Sequence, residues 1–270
     1  MNIAQILKNL SKVSSDPEVL LAHVLGVTRS SLYAFPEREL TDKEEKEWLQ
    51  MIEKHQQGVP TAYLTGHKEF WSLELEVTPD TLIPRHETEL LVEYVLKQNT
   101  SERRIADLGT GSGAIALALA HEKPHWQIDA TDISQVALKV AQANAAHLNL
   151  HNIQFYQGSW FNALPAVLYD IIVSNPPYIA EEDPFLEESV LRYEPHSALF
   201  SADNGLKDIA YLIANAPSHL KKEGWLFLEH GFQQSKEVRR IFIKKGYNSV
   251  TTKCDLAGLE RITYGQWKRK

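Results

Sequence analysis

The chain has 270 residues, of which 43% are hydrophobic and 23% are charged, and its formal net charge is −7. These fractions are typical of soluble globular proteins, and the length allows one large domain or two of common size. The acidic balance disfavours a nucleic-acid substrate, because proteins that bind nucleic acid usually carry a basic surface that neutralises phosphates.

Two further features of the whole sequence bear on the cellular compartment of the protein and on whether it binds a metal ion. No apolar run reaches membrane-spanning length, and the N-terminus lacks the basic start and apolar core of a signal peptide. The single cysteine, Cys254, excludes an internal disulfide, and the 11 histidines show no metal-ligand spacing. We therefore expect a cytoplasmic protein without a membrane segment and without a metal site.

Residues 1–60 have the pattern of an N-terminal helical domain. Apolar residues recur at helical spacing from Ile3 onward. A capping-box pattern at Thr41 and Glu44 predicts the start of a further helix, which we expect to continue to about His55. No residue of this part has an evident chemical role.

The pattern changes after residue 60. Aromatic and β-branched residues partly alternate from Ala62 to Pro79, which predicts a β-hairpin. We therefore assign residues 61–85 to a hairpin linker and residues 86–270 to a second domain.

Strand-like and helical patterns alternate beyond residue 100, which predicts an α/β domain whose mostly parallel sheet is covered by helices. Five runs are candidate strands, and two more are expected to close the sheet: Arg104–Leu108, Gln127–Thr131, Ile153–Tyr156, Asp170–Ser174, Trp225–Glu229, Ser249–Lys253 and Arg261–Trp267.

A glycine-rich segment follows the first candidate strand and precedes a helix. Its sequence, Asp107-Leu108-Gly109-Thr110-Gly111-Ser112-Gly113, is called the glycine loop below. Glycines at such a turn let the backbone approach a ligand closely. The spacing differs from the dinucleotide motif, and the Asp107 carboxylate favours a cationic ligand over a pyrophosphate. A purely structural turn is the alternative.

This candidate ligand site is extended by two residues, Asp132 and Trp160, which lie at or after the ends of later strands. Asp132 ends the second strand, where a carboxylate can accept hydrogen bonds from two ribose hydroxyls. A ribose near Asp132 and a positive charge near Asp107 favour S-adenosylmethionine over NAD as the ligand. Trp160 follows the third strand, where its ring can flank an adenine, although core packing explains a lone tryptophan equally well.

The tetrapeptide Asn175-Pro176-Pro177-Tyr178 follows the apolar strand Asp170–Ser174. The prolines restrict the backbone and remove two N–H donors, so the segment offers carbonyl oxygens. The Asn175 side-chain oxygen and the Pro176 carbonyl can accept both hydrogens of one –NH2 group, and Tyr178 offers a flat face. That –NH2 group can belong to a nucleobase or to an amide. An ordinary strand-ending turn is the alternative.

With these motifs, the chain resembles the PrmC/HemK family of protein-(glutamine-N5) methyltransferases, which modify peptide chain release factors. The resemblance runs nearly from end to end and lies in Gly58-Val59-Pro60, Tyr63-Leu64-Thr65-Gly66, Leu82-Ile83-Pro84-Arg85-His86-Glu87-Thr88-Glu89, the glycine loop, the tetrapeptide with Ile179, Tyr193-Glu194-Pro195, Ala198-Leu199, Gly205-Leu206, Glu229-His230-Gly231 and Asp255-Leu256-Ala257-Gly258. His86 departs from the family, which usually has proline there.

The resemblance implies a Rossmann-like class I methyltransferase fold with a seven-stranded sheet, and S-adenosylmethionine as cofactor. It implies that the substrate is the glutamine of the Gly-Gly-Gln motif in class I release factors of both types, and that the N-terminal helices recognise them. A monomer is expected. The implied cofactor contacts are Asp107, Gly109, Thr110, Gly111, Ser112, Gly113, Asp132, Trp160 and Asn175. The implied substrate contacts are Asn175, Pro176, Pro177 and Tyr178, of which Asn175, Pro176 and Tyr178 are the catalytic candidates.

For a glutamine substrate, the expected mechanism needs no general base. The two acceptors would orient the amide nitrogen and raise its electron density, and the methylated nitrogen loses a proton readily. His86, His196 and His230 are therefore expected to have structural or binding roles. The alternatives are methylation of an exocyclic amine on adenine or guanine, methylation of a ribosomal-protein glutamine, and a catalytically silent cofactor-binding adaptor.

Overall fold

The structure is a computed structural model, which describes residues 1–10, 17–98, 103–183 and 186–268. The chain divides into two compact units, Met1–His67 and Lys68–Lys270. Within the described ranges, no helix is both long and apolar enough to cross a bilayer. The division into domains of residues 1–60, 61–85 and 86–270 stays a prediction.

The first unit is helical in its described part. Its helices are α1 (Ile3–Leu10), α2 (Pro17–Leu25), α3 (Arg29–Ala34), α4 (Asp42–Gln56) and α5 (Thr61–Thr65). The Thr41 hydroxyl accepts a hydrogen bond from the Glu44 N–H, and the Glu44 carboxylate accepts one from the Thr41 N–H. This reciprocal pair confirms the predicted capping box. Apolar side chains including Leu20 and Trp48 form the core of the unit.

A small two-stranded sheet follows, formed by β1 (His67–Phe70) and β2 (Leu73–Glu76). It confirms the predicted hairpin but is shorter than the alternating pattern, because α5 occupies the first part of that pattern. Gly66 ends α5 with a φ of 77°, a left-handed conformation that glycine adopts without steric cost.

The second unit contains a seven-stranded sheet among its described residues. Its strands are β3 (Arg104–Leu108), β4 (Gln127–Asp132), β5 (Ile153–Gln157), β6 (Tyr169–Ser174), β7 (Leu220–Glu229), β8 (Asn248–Cys254) and β9 (Glu260–Trp267). The order is β5-β4-β3-β6-β7-β9-β8, and β9 runs antiparallel to both of its neighbours while the other pairs are parallel. All seven predicted strands are confirmed.

One strand begins earlier than predicted. Leu220 already pairs with Tyr169, and the register then shifts before Trp225 pairs with Ile171. Between them lies a polar segment in which Glu223 has a φ of 65°. The charged residues of this bulge conceal the start of β7 from a periodicity argument, because they interrupt the apolar run.

Helices flank the sheet: α6 (Glu89–Leu96), α7 (Ala114–Glu122), α8 (Gln135–His147), α9 (Glu188–Tyr193), α10 (His196–Leu199), α11 (Ala202–Gly205), α12 (Lys207–Asn215) and α13 (Ser235–Lys245). Neighbouring strand residues point to opposite faces. Ile105 accordingly packs into an apolar cluster with α6 and α7, whereas Ala106 packs into a second cluster with α12 and α13. The sheet is therefore buried on both faces, as the predicted α/β class requires.

The parallel core sets the position of the candidate site residues. In a doubly wound sheet, ligands bind beyond the carboxyl ends of the strands. Here β3 lies between β4 and β6, so the segments that follow these three strands share one edge of the sheet. The glycine loop, Asp132 and the tetrapeptide are those segments.

Candidate active site

The glycine loop turns sharply between β3 and α7. Gly109, Gly111 and Gly113 have φ values of 74°, 58° and 91°, all in the left-handed region that favours glycine. At Gly113 a Cβ atom would lie 2.8 Å from Leu117 Cδ1 and 3.2 Å from Ala141 Cβ, so a side chain has no room. The left-handed backbone therefore favours glycine at all three positions, and at Gly113 the surrounding side chains also exclude a Cβ atom.

Asp107 lies at the base of this loop and is fully buried. Its Oδ2 atom accepts a 2.7 Å hydrogen bond from the Thr110 hydroxyl, whereas Oδ1 makes no hydrogen bond of ordinary geometry among the described residues, although the nearby Ala116 N–H lowers the pKa of the carboxyl. Burial raises the pKa of the Asp107 carboxyl to about 7. A buried carboxylate with a free oxygen is costly unless a positive group or a donor approaches it.

Asp132 supports the loop from the end of β4. Its Oδ2 atom accepts a hydrogen bond from the Gly111 N–H at 2.9 Å, and its Oδ1 atom accepts one from the Ser134 N–H at 2.8 Å. Burial raises the pKa of its carboxyl. Each carboxylate oxygen has a second lone pair, so Asp132 can still accept hydrogen bonds from a ligand.

Trp160 and Asn144 contact the glycine loop from two other elements. The Trp160 ring lies so close to Gly109 that a Cβ atom there would be 3.2 Å from the ring carbon Cζ3. The side chain of Asn144, on α8, donates a 3.0 Å hydrogen bond to the Ser112 carbonyl. Trp160 therefore lies against the loop, and Asn144 is a supporting residue that no sequence motif predicts.

The tetrapeptide begins directly after β6. Asn175 donates a 3.1 Å hydrogen bond from Nδ2 to the Thr88 hydroxyl, and its Oδ1 atom accepts none from the described residues. Thr88 in turn donates a 2.7 Å hydrogen bond to Glu229 Oε2. Pro176 is buried and Pro177 is half-buried. The amide oxygen of Asn175 is thus left available for a ligand.

The last residue of the tetrapeptide shares the same carboxylate. The Tyr178 hydroxyl donates a 3.0 Å hydrogen bond to Glu229 Oε1, the second oxygen of a side chain that is 1% exposed. Burial raises the pKa of the Glu229 carboxyl to about 7 and also raises the pKa of the Tyr178 phenol. Tyr178 therefore remains a neutral donor, and Glu229 connects both ends of the tetrapeptide.

A cavity of about 530 Å³ opens beside the tetrapeptide. Asn175, Pro176 and Tyr178 contribute to its wall, whereas Pro177, the glycine loop, Asp132 and Trp160 do not. Its charged lining residues are Arg85, Glu182, Asp183, Glu187 and Arg261, and its apolar ones include Leu186, Val190 and Phe232. Asn175 is the one predicted site residue that belongs both to this cavity and to the proposed cofactor contacts.

The backbone that leaves the tetrapeptide is fixed by Gln234, which the sequence analysis did not identify. Its Nε2 atom donates hydrogen bonds to the Tyr178 carbonyl at 2.8 Å and to the Asn204 carbonyl at 3.1 Å. A Cβ atom at Gly205 would lie 2.0 Å from the Tyr178 carbonyl oxygen, which explains the glycine. Three separate segments therefore meet at Tyr178.

The segment before Thr88 is anchored by a buried acid. Glu194, whose side chain is 2% exposed, accepts a 2.5 Å hydrogen bond from Arg85 and a 3.1 Å hydrogen bond from the Ile83 N–H. His86, the departure from the family pattern, has an exposed side chain 3.5 Å from Glu89. The substitution of proline by histidine therefore lies on the surface beside the anchored segment.

The other two histidines make local hydrogen bonds. His230 is buried between the Gly231 carbonyl and the Thr263 hydroxyl, and burial lowers the pKa of its imidazole to about 4. His196 is exposed and contacts the Leu191 carbonyl through Nε2 at 2.8 Å. Neither histidine forms part of the cavity wall. Over the described ranges, no group of three His, Cys, Asp or Glu side chains is arranged to hold a metal ion.

Family models match both parts of the chain. A "PrmC N-terminal domain" model matches residues 2–66, and a "Methyltransferase small domain" model matches residues 86–192. Together they span the helical unit, the glycine loop and the tetrapeptide.

Whole-chain relatives are more specific. A release factor glutamine methyltransferase from Coxiella burnetii is 48% identical over 97% of this chain and 95% of its own length. The protein with the same description from Escherichia coli is 47% identical over 93% of this chain and 91% of its own length. Among solved structures, the N-terminal domain of human METTL16 in complex with SAH has a TM-score of 0.54 at 19% identity, covering 74% of this chain and 77% of that one. At that identity the likeness shows the fold alone.

Proposed function

The chain belongs to the release factor glutamine methyltransferase family, and we propose from this premise that it methylates the side-chain nitrogen N5 of the glutamine in the Gly-Gly-Gln motif of class I release factors. The methyl donor is S-adenosylmethionine. The observation that carries the proposal is the Asn175 amide, whose nitrogen is bonded to Thr88 while its oxygen is available beside the cavity.

The residues around the glycine loop fit this donor. S-adenosylmethionine, when bound, supplies an electrophilic methyl group on a positively charged sulfur. The unpartnered Oδ1 of buried Asp107 suits a cationic ligand, and it would repel the pyrophosphate of a dinucleotide. Gly109, Thr110, Gly111, Ser112 and Gly113 would follow the ligand with their backbone.

Three further residues complete the proposed cofactor contacts. Asp132 retains acceptor capacity for ribose hydroxyls, and Trp160 lies against Gly109 with a flat face for an adenine. Asn175 would contact the cofactor as well as the substrate, because it directly follows the strand beside β3.

The tetrapeptide would hold the substrate amide. Two acceptors, the Asn175 side-chain oxygen and the Pro176 carbonyl, match the two hydrogens of a glutamine –NH2 group. Pro177 keeps this backbone extended, and the Tyr178 ring is held in place by the bond of its hydroxyl to Glu229. Orientation of this kind can recover roughly 7–11 kcal/mol of an activation barrier.

The proton that leaves the nitrogen needs no dedicated base. Glu229 is 1% exposed and does not line the cavity, so its carboxylate is not placed to receive the proton, which would pass to water instead. The His230 imidazole is buried and is hydrogen-bonded to the Gly231 carbonyl and the Thr263 hydroxyl. It does not line the cavity. We therefore assign the catalytic roles to Asn175, Pro176 and Tyr178 alone.

We further propose that the N-terminal helices help to recognise release factors of both types. The protein would act as a monomer, and it would work in the cytoplasm, where its substrates function. Direct contact with nucleic acid is not expected, because Glu182, Asp183 and Glu187 in the cavity lining would repel a phosphate backbone. The two arginines of the lining, Arg85 and Arg261, are already paired with Glu194 and Asp255. The same acidic side chains disfavour a nucleobase as the alternative substrate.

A parallel methyl-transfer assay tests the proposal. Radiolabelled S-adenosylmethionine is offered with each release factor, with a ribosomal protein and with oligonucleotides in separate reactions. Label is expected in the release factors, and it should disappear when the glutamine of the Gly-Gly-Gln motif is replaced. Label in the oligonucleotide or ribosomal protein alone would show that the proposed substrate is wrong.

A further inference from the structure

We infer that Thr88 and Glu229 are positioning residues that fix the Asn175 side-chain amide with its oxygen toward the substrate. This inference rests on the proposed function, because it explains how one catalytic group acquires the required orientation. It concerns two residues that lie far from Asn175 in sequence, by 87 positions for Thr88 and by 54 (229 − 175) for Glu229.

The orientation of an asparagine amide is not fixed by its shape. The oxygen and the –NH2 group are nearly equal in size, so a half-turn of the amide exchanges them without a steric change. In the flipped orientation, Asn175 would present N–H donors to the N–H donors of the substrate amide. The hydrogen-bond partners on the far side of the Asn175 amide therefore determine whether its oxygen or its –NH2 group faces the substrate.

The single hydroxyl hydrogen of Thr88 determines the orientation of the Asn175 amide. The Thr88 Oγ1 atom lies 2.7 Å from Glu229 Oε2 and 3.1 Å from Asn175 Nδ2. Above its pKa of about 7 the Glu229 carboxyl is ionised and only accepts hydrogen bonds, so the Thr88 hydroxyl then donates its hydrogen to Glu229. Toward Asn175 the hydroxyl oxygen can then only accept, which selects the –NH2 end of the amide for Thr88 and leaves Oδ1 for the substrate.

The carboxylate itself is fixed in place. Glu229 lies at the end of β7, is 1% exposed, and accepts the Tyr178 hydroxyl with its other oxygen at 3.0 Å. Among charged neighbours, Arg261 favours its ionised form and Glu87 disfavours it. Because Thr88 is also buried, at 4% exposure, water does not compete for these bonds. One carboxylate thus orients the first and the last residue of the tetrapeptide.

Substitutions at Thr88 separate the hydroxyl from the packing. Thr88→Val has nearly the same shape but no hydroxyl, whereas Thr88→Ser retains the hydroxyl. Thr251→Val is the matched control, because among the described residues the Thr251 hydroxyl is hydrogen-bonded only to the Ser249 carbonyl, on β8 at the edge of the sheet. Thr88→Ala provides a second variant without the hydroxyl and with no added methyl group in its place.

The expected kinetic result is a loss in kcat with cofactor binding retained. Thr88→Val and Thr88→Ala should lower kcat for release factor methylation about 10- to 100-fold, the size of effect that misplacement of a reacting group produces. Their Kd for S-adenosylmethionine should match the wild type, and Thr88→Ser and Thr251→Val should retain kcat. Wild-type kcat in both Thr88→Val and Thr88→Ala would overturn the inference.

A second readout is independent of the substrate. In the free ¹⁵N-labelled protein, NMR measures solvent exchange of the Asn175 side-chain –NH2 hydrogens. We expect slow exchange in the wild type and Thr88→Ser, and faster exchange in Thr88→Val and Thr88→Ala. Equal exchange in all four proteins would contradict the positioning role. If the wild type methylates no release factor, the proposed function fails, whereas this exchange pattern still decides the role of Thr88.

Discussion

The Ser174 hydroxyl donates a buried hydrogen bond of 2.6 Å to the Leu108 carbonyl oxygen. Ser174 directly precedes Asn175, and Leu108 directly precedes Gly109. The bond therefore fixes the end of β6 to the end of β3, so that the proposed substrate contacts start beside the proposed cofactor contacts. The bond thus joins two short segments that are far apart in sequence.

Removal of the Asn175 side chain should abolish most activity. Asn175→Ala deletes one of two acceptors for the substrate amide, and loss of one preorganised group of this kind typically costs about 10²–10³ in kcat. Cofactor affinity should fall far less, because the glycine loop and Asp132 are unchanged. Isothermal titration and steady-state kinetics measure the two quantities. Asn248→Ala, at an exposed position on β8, is the control, and wild-type kcat in Asn175→Ala would refute the assigned role.

Gly113→Ala should both destabilise the fold and weaken cofactor binding. The new Cβ would meet Leu117 and Ala141 in addition to the strain of a φ of 91°. Gly258→Ala is the matched control, since Gly258 has a φ of 80° but no atom within 4 Å of a Cβ. The control should lose about 1–2 kcal/mol of unfolding free energy from backbone strain alone.

The clash at Gly113 should add roughly 1–3 kcal/mol to that strain. Urea denaturation of both variants measures the difference. If both variants lost the same unfolding free energy, the side chains around Gly113 would accommodate a Cβ atom without an energetic penalty. Steric crowding would then not be the reason for glycine at position 113.

Binding of S-adenosylmethionine should depend on pH through Asp107. Burial raises the pKa of this carboxyl to about 7, so in the free protein its ionised fraction falls as the pH drops below that value. A cationic ligand favours the ionised form, and its affinity should therefore fall by up to about tenfold per pH unit below 7. Above the pKa the affinity should level off.

Calorimetry in two buffers of different ionisation enthalpy checks this. At pH 6 the wild type should release a proton on binding, whereas at pH 8 the release should be nearly absent. Asp107→Asn should bind more weakly and without proton release at either pH. A wild-type affinity that is flat from pH 6 to pH 8 would be inconsistent with a charge contact at Asp107.

The pair of Glu194 and Arg85 should contribute strongly to stability. Glu194 is almost fully buried and also accepts the Ile83 N–H, so Glu194→Ala leaves two donors unpaired and should cost about 3 kcal/mol. Glu237 forms a pair with Arg240 on the exposed surface of α13. Glu237→Ala should leave the unfolding free energy unchanged within error. Similar losses in both variants would argue against the anchoring role of Glu194.

Much of the fold was predictable because its signals are local. Alternating strand and helix patterns, the capping box at Thr41 and the glycines after β3 each depend on residues within one turn or strand. The bulge before Trp225 was not predictable, because charged residues interrupt the apolar pattern where the chain still pairs with β6.

The parts of the site that were missed depend on distant contacts. Thr88 and Glu229 are 141 residues apart, and Gln234 and Tyr178 are 56 residues apart, so neither bond has a signature within a sequence window. Both pairs lie within or beside segments that carry the family resemblance, which marked Thr88 and Glu229 without assigning them a role. Their contact becomes visible only when β7 is located beside β6.

The most direct test of the central claim is tandem mass spectrometry of a release factor after incubation with this protein and S-adenosylmethionine. We predict one added methyl group on the side-chain nitrogen of the glutamine in the Gly-Gly-Gln motif, present with the wild type and nearly absent with Asn175→Ala. A methyl group on another residue, or an unmodified motif under conditions in which the wild type binds its cofactor, would contradict the account.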